Sequence, residues 1–207
     1  MITKLTKKRG IIVLVVLALV AAWAGISYAT NTPPFKKPRG TIEASELCPS
    51  FGKSQEAADI LNRILPYATS YRFPLEDGTP RGLDRQDVDY TTRCYAYGED
   101  RLLTVRTYAT RGETEKEWQR TVRDLVFSGP AEPFEAGRWA FTTSTRKGAA
   151  VYSACLADPD TDLSTYIRLR DPAPADRLDD LRRLAEIAAE QAHKDARCTI
   201  PADTPAK

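Results

Sequence analysis

Four sets of residues in this chain could carry chemistry: one histidine, a run of alternating aspartates, four cysteines, and an alternation of arginine with tyrosine. His193 is the only histidine in 207 residues. A Ser-His-Asp or Cys-His catalytic site would have to use it. It stands in EQAHKDAR, at the charged end of a helical pattern, where a histidine is an ordinary helix-terminal residue. The G-x-S-x-G elbow, H-E-x-x-H and the P-loop signature are absent. Asp158, Asp160 and Asp162 occupy the first, third and fifth ligand positions of a calcium loop. The sixth position is then Leu163 where glycine is needed, and the twelfth is Leu169 where a bidentate glutamate is needed, so an acidic turn is the better reading. Carboxylates are spread along the chain and no pair is marked out for glycosidase chemistry. No catalytic residue, metal or cofactor is expected.

The arginine–tyrosine alternation is the candidate for binding. Arg93, Tyr95 and Tyr97 fall on one face of a predicted strand, with Arg106 and Tyr108 on the neighbouring strand. Tyrosine and arginine together are the composition of an interface hot spot. At strand spacing the same tyrosines, with Tyr90, also suit cross-strand packing. Alanine at Tyr95 and Tyr97 separates the two readings, since only core residues would be needed for folding.

Cys48, Cys94, Cys155 and Cys198 all follow the opening apolar stretch, and no two are close enough for a C-x-x-C redox or zinc motif. An even number in an exported domain implies disulfides. Four cysteines allow three connectivities. The pairing Cys48–Cys94 with Cys155–Cys198 is favoured because each bond would staple a helix end to a strand.

The elements that must position these residues are legible in outline. Ser54 caps a helix running to about Leu65, with Ala57, Ile60, Leu61, Ile64 and Leu65 as its apolar face. Tyr67 to Phe73 alternates as a strand, followed by a turn-rich loop over residues 74–87. Val88–Tyr97 and Leu102–Thr110 read as a hairpin across Gly98-Glu99-Asp100, and Glu113–Phe127 as a helix with Trp118, Val122, Leu125 and Val126 on one side. Arg138–Thr143, Ala149–Leu156 and Leu163–Leu169 read as strands. Ala175 to about Ala196 is an amphipathic helix with Leu178, Leu181, Leu184, Ala185, Ala188 and Ala192 along one side, and a frayed tail follows over residues 201–207. CYAYGEDRLLTVRTY and CLADPDTDLSTYIRLR share a plan of cysteine, acidic turn, strand and helix, as two duplicated halves would. The expected fold is α+β: an antiparallel sheet with helices packed on one face.

The chain opens with KKRGIIVLVVLALVAAWAGISYA. Ile11 to Ala29 is a 19-residue run without charge, close to the length of a transmembrane helix. The basic residues before it favour a cytoplasmic N-terminus over residues 1–10 and an extracytoplasmic remainder. Ala22-Trp23-Ala24 and Ser27-Tyr28-Ala29 also offer small residues at cleavage-site spacing, so a cleaved export signal and a secreted product is the alternative. No lipid-attachment cysteine lies here. Residues 30–44 read as a Pro-rich basic linker, and 45–200 as the folded domain. Seven of the 30 basic residues flank the apolar run, which leaves 23 against 28 acidic ones and a net charge of −5 on the remainder. A net acidic domain without a basic stripe argues against nucleic acid as partner.

The four cysteines and the order of elements over about residues 45–200 resemble, loosely, the two-disulfide α+β extracytoplasmic domains of actinobacterial lipoproteins, secreted proteins and kinase sensor regions. The missing lipid-anchor cysteine and the short inner tail depart from the lipoproteins and the kinases. The resemblance implies a non-catalytic module that binds an envelope protein or ligand. Two alternatives stand beside it: an accessory subunit of a larger membrane complex, and a secreted hydrolase after signal cleavage.

Overall fold

The computed structural model describes residues 3–30, 37–74, 90–126, 129–157 and 160–205. Residue contacts divide the chain into two compact units, Met1–Arg39 and Gly40–Lys207.

Among its described residues the first unit contains one helix, α1 (Thr3–Ala29). Its described side chains run from Val15 to Ala29, and Val15, Leu19, Val20, Trp23 and Ile26 are all more than half exposed. Among the described residues no helix is long and apolar enough to cross a membrane.

The second unit is α+β. Its sheet contains β1 (Thr91–Tyr97), β2 (Arg101–Thr110), β3 (Ala131–Pro133), β4 (Trp139–Thr143), β5 (Gly148–Ala157) and β6 (Asp160–Leu169). The spatial order is β1-β2-β6-β5-β4-β3, with every neighbouring pair antiparallel. Among the described residues three α-helices accompany it: α2 (Gln55–Ile64), α3 (Glu115–Val126) and α4 (Leu178–Asp195).

Helix α2 begins where the sequence says it should, because Ser54 Oγ accepts a hydrogen bond from the Ala57 amide at 3.1 Å. Helix α3 starts two residues later than expected, behind a capping box: the Glu117 amide donates to Thr114 Oγ1, and the Thr114 amide donates to the Glu117 carboxylate. α2 and α4 lie together over one face of the sheet, burying Ile60, Leu61, Leu181 and Leu184 against Leu103, Val105, Val151 and Ile167. Two ion pairs link these helices, Arg63–Asp180 at 2.6 Å and Arg183–Glu56 at 2.9 Å.

The expectation that the helices share one face is corrected by α3. Trp118 and Val122 of α3 pack on Phe141, Ala150, Tyr152 and Tyr166, the alternate residues of β4, β5 and β6. The cause is visible in β5, GAAVYSACLA, which is apolar on both sides: Ala149 and Val151 face α2 and α4, while Ala150 and Tyr152 face α3. A strand that is apolar on both faces must be covered on both. Because α3 and α4 lie on opposite faces, the two cysteine-hairpin-helix units do not repeat one another.

Other expectations shift at the edges. Tyr67–Phe73 forms no strand beyond a single bridge, Arg72 to Tyr97. The folded unit starts earlier than Ser45: Ile42 is buried, its amide donates to Asn62 Oδ1, and its carbonyl accepts from Asn62 Nδ2, both at 2.9 Å. The C-terminal tail is packed over residues 201–205, where the Ala154 amide donates to the Ala202 carbonyl and Arg138 Nε donates to the Thr204 carbonyl. The predicted loop 74–87 lies outside the described residues from residue 75 onward, as do Phe127, the side chains of Leu125 and Val126, and most of the predicted linker.

The Cys48–Cys94 and Cys155–Cys198 bonds are both present, with Cα–Cα distances of 5.9 and 4.4 Å. Each joins the start or end of a helical region to a strand of the sheet. Two disulfides indicate an oxidising, extracytoplasmic compartment for this unit.

The Arg63–Asp180 pair makes a pH-dependent contribution. The Arg63 guanidinium, by hydrogen bond and charge, holds the Asp180 carboxyl below its ordinary value. A depressed folded value means that the stabilisation is present above the unfolded value and is lost as pH falls through the folded one. Asp180→Asn is expected to cost less than about 1 kcal/mol near neutrality, since the pair is partly exposed. It should also reduce the acid-side loss of stability, measured by urea unfolding from about pH 5 down to about pH 2. An unchanged acid limb in the variant would assign that loss to other carboxylates.

Candidate functional site

Alternation and register decide what stands on the face of the sheet that α3 shares. On β1 it is Arg93, Tyr95 and Tyr97, since Cys94 and Ala96 turn into the core under α2 and α4. The register then sets Arg93 opposite Arg106 and Arg106 opposite Tyr166. One row along, Tyr95 stands opposite Thr104, and Thr104 opposite Arg168. A bulge at Ala96/Tyr97 pairs Tyr97 with Arg101.

Helix α3 covers the β4–β5–β6 part of this face, and among the described residues the β1–β2 part is half open. Arg93, Arg101 and Arg168 are exposed, while Tyr95, Tyr97, Thr104 and Arg106 are half-buried. The guanidinium of Arg101 lies 5.3 Å from the centre of the Tyr95 ring, and that of Arg106 lies 5.4 Å from the Tyr108 ring. Tyr95 and Tyr97 lie 6.3 Å apart between ring centres. Stacking of this kind restricts an arginine without using up its donors.

The predicted surface is thus largely brought together. Arg93, Tyr95, Tyr97 and Arg106 share one patch. Tyr108 stands at its inner margin and belongs as much to the Trp118 cluster, where burial pushes its phenol up. Arg101, Thr104 and Arg168 belong to the patch and were missed. Arg101 falls between the predicted turn, Gly98-Glu99-Asp100, and the strand predicted from Leu102. Arg168 comes from a separate hairpin, and only the pairing of β2 with β6 delivers it beside Thr104.

The electrostatics of the patch are one-sided. Among the described residues, Arg93, Arg101, Arg106 and Arg168 have no carboxylate within ion-pair distance. Arg93 and Arg106 oppose each other directly on antiparallel strands, an arrangement that costs stability because like charges meet. Arg106 Nε is buried and has no hydrogen-bond partner among the described residues. A buried donor left without an acceptor is a further cost. Both costs would be relieved by an anion.

Two hollows flank the patch. One of about 390 Å³ is lined by Asp100, Arg101, Thr104, Arg168 and Arg170, in which Asp100 is ion-paired to Arg170. The other, of about 510 Å³, is more apolar and lies at Tyr97, with Glu46, Tyr71, Arg72 and Phe73.

The remaining candidates are engaged in structure. His193 Nε2 donates to the Ile200 carbonyl at 3.0 Å and thereby ties α4 to the C-terminal tail. His193 also lines a cavity of about 400 Å³ with Ser153, Glu186 and Glu190, but Arg183 holds both of those glutamates. Asp162 is buried, accepts from the Tyr152 hydroxyl at 2.9 Å and pairs with Arg138 at 3.1 Å. That arrangement occupies the fifth position of the aspartate run. Asp158 and the side chain of Asp160 lie outside the described residues, and no metal-ligating cluster occurs among the described ones. Family models, curated proteins and solved structures offer no match to this chain.

Proposed function

We propose that this protein is a non-catalytic binding module of the bacterial cell envelope. Residues 11–29 hold it in the lipid bilayer, and the β1–β2 face of its extracytoplasmic unit captures a partner. The single observation that carries the capture reading is the open Arg93–Tyr95–Tyr97–Arg106 patch. It is a stacked, cationic surface whose like charges meet and whose Arg106 Nε lacks an acceptor among the described residues. A protein does not gain stability from such an arrangement, so its use lies in an interaction.

The anchor reading rests on the uncharged run Ile11–Ala29 and on α1, which is helical through that run. At about 1.5 Å per residue its 19 residues span roughly the thickness of a bilayer core. The apolar side chains exposed around α1 suit a lipid environment better than water. An intact mass of the protein from its host checks this. The full-length mass fits an anchor, and a loss of about 3 kDa would mean a cleaved signal.

Capture is tested by placing a photo-crosslinking residue at Tyr95 and irradiating intact membranes. A discrete adduct is expected from Tyr95, and it should disappear in Arg93→Glu/Arg106→Glu while the melting temperature holds. Tyr95→Ala/Tyr97→Ala should likewise fold and lose the adduct. If that pair unfolds the domain, or if adducts form equally from the opposite face at Lys53, the patch is not the capture surface.

A further inference from the structure

Arg101 and Arg168, neither of them ion-paired among the described residues, line one hollow together with Thr104. Thr104 stands at the centre of the β1–β2–β6 face, with Tyr95 on one side and Arg168 on the other. Arg106 is two residues along the same strand on the same face, and Arg93 is opposite it. Arg101 closes the other end, where it lies over the Tyr95 ring. Thr104, Arg101 and Arg168 line the same hollow of about 390 Å³. Among the described residues that line it the one carboxylate, Asp100, is paired with Arg170.

We infer that this hollow is an oxyanion site centred on Thr104, built for a phosphate-bearing ligand. The inference rests on the reading of the β1–β2 face as the capture surface, and it names what that surface captures. A single carboxylate would neutralise only one of the two arginines, Arg101 and Arg168, that line the hollow without a carboxylate partner among the described residues. A phosphate group, with up to two charges and three or four acceptor oxygens, meets both at once. The planar fork of arginine fits phosphate bidentately, and a threonine hydroxyl supplies a neutral donor between the forks. A phosphate ester reaches such a site either on a soluble molecule or on a lipid headgroup, and the chemistry at Thr104 is the same for both.

The probe is inorganic pyrophosphate, titrated calorimetrically into the full chain held in phosphatidylcholine nanodiscs. Citrate serves as the carboxylate control. Pyrophosphate should bind, weaken as salt is raised, and bind at least about tenfold tighter than citrate. Arg168→Gln and Arg101→Gln should each weaken it by about tenfold or more, as expected when a charged hydrogen bond is lost. Lys53→Gln removes an exposed charge elsewhere and should leave binding unchanged. Vesicles containing phosphatidylglycerol form the second arm. Their capture, with release by pyrophosphate, identifies a lipid headgroup as the source, and binding of the free anion alone identifies a soluble one. A flat pyrophosphate titration, citrate binding as tightly, or equal weakening by Lys53→Gln overturns the inference. A flat titration with the Tyr95 adduct still formed removes the phosphate ligand and leaves the capture face standing. Loss of both removes both.

Discussion

Trp118→Ala is expected to destabilise the folded unit by about 3–5 kcal/mol, the largest effect of any single truncation. Trp118 is fully buried and is the largest side chain that α3 packs against the sheet among the described residues. Its ring centre lies 5.2 Å from that of Phe141 and 5.3 Å from that of Tyr152, while Trp139 stacks on Tyr152 at 4.8 Å. Its indole N–H donates to Ser164 Oγ at 2.9 Å, so the polar tip is satisfied as well as the ring. Removing the ring leaves a cavity among aromatics that cannot collapse into it. Trp118→Phe should cost less, because it keeps ring contact and loses the hydrogen bond. Trp118→Phe/Ser164→Ala should recover part of that loss by removing the orphaned hydroxyl. Urea unfolding measures all three. A loss below about 1 kcal/mol in Trp118→Ala would show that α3 is not held by this cluster. Because α3 borders the open patch, the same variant should also loosen the patch, and binding assays on it would report folding rather than contact.

Cys155→Ala/Cys198→Ala is expected to cost about 4 kcal/mol on the loop-entropy account, since the bond closes a loop of 43 residues. The consequence should be local as well as global. The bond pins the end of α4 to β5, and the following residues then make a series of contacts: the Thr199 amide to the Cys155 carbonyl, the Ala154 amide to the Ala202 carbonyl, and Arg138 to the Thr204 carbonyl. Without the covalent tie those contacts must offset the freedom of the tail unaided. Hydrogen exchange should therefore speed up first at Thr199 and Ala154, before the central strands. The Cys48–Cys94 bond closes a loop of similar length, 46 residues, and its removal should cost a similar amount. It should instead expose the approach to α2. Equal protection at Thr199 with and without the Cys155–Cys198 bond would mean that the tail is held by its hydrogen bonds alone.

Local pattern carried most of the secondary structure. Ser54 before an amphipathic run specifies α2, and the alternation in Thr91–Tyr97 and Leu163–Leu169 specifies strands, because in each case the signal lies within a few residues. The candidate patch was half legible for the same reason. Arg93, Tyr95 and Tyr97 follow from a period of two, and Arg106 from the short turn between the two strands. The favoured disulfide pairing followed from helix ends and strands that lie near one another in order.

What the sequence determined by itself, then, was the α+β class, the cysteines that become the two bonds, the uncharged opening run, and the facing of residues along each strand. These depend on composition and on periods of two or 3.6 residues. Tertiary structure decided the rest. The pairing of β2 with β6 brought Arg168 to Thr104 from more than sixty residues away. The two-sided apolar character of β5 sent α3 to the face opposite α4 and left the β1–β2 corner open. Strand order and helix side are choices among distant partners, made by the burial of the whole sheet, and no local period records them.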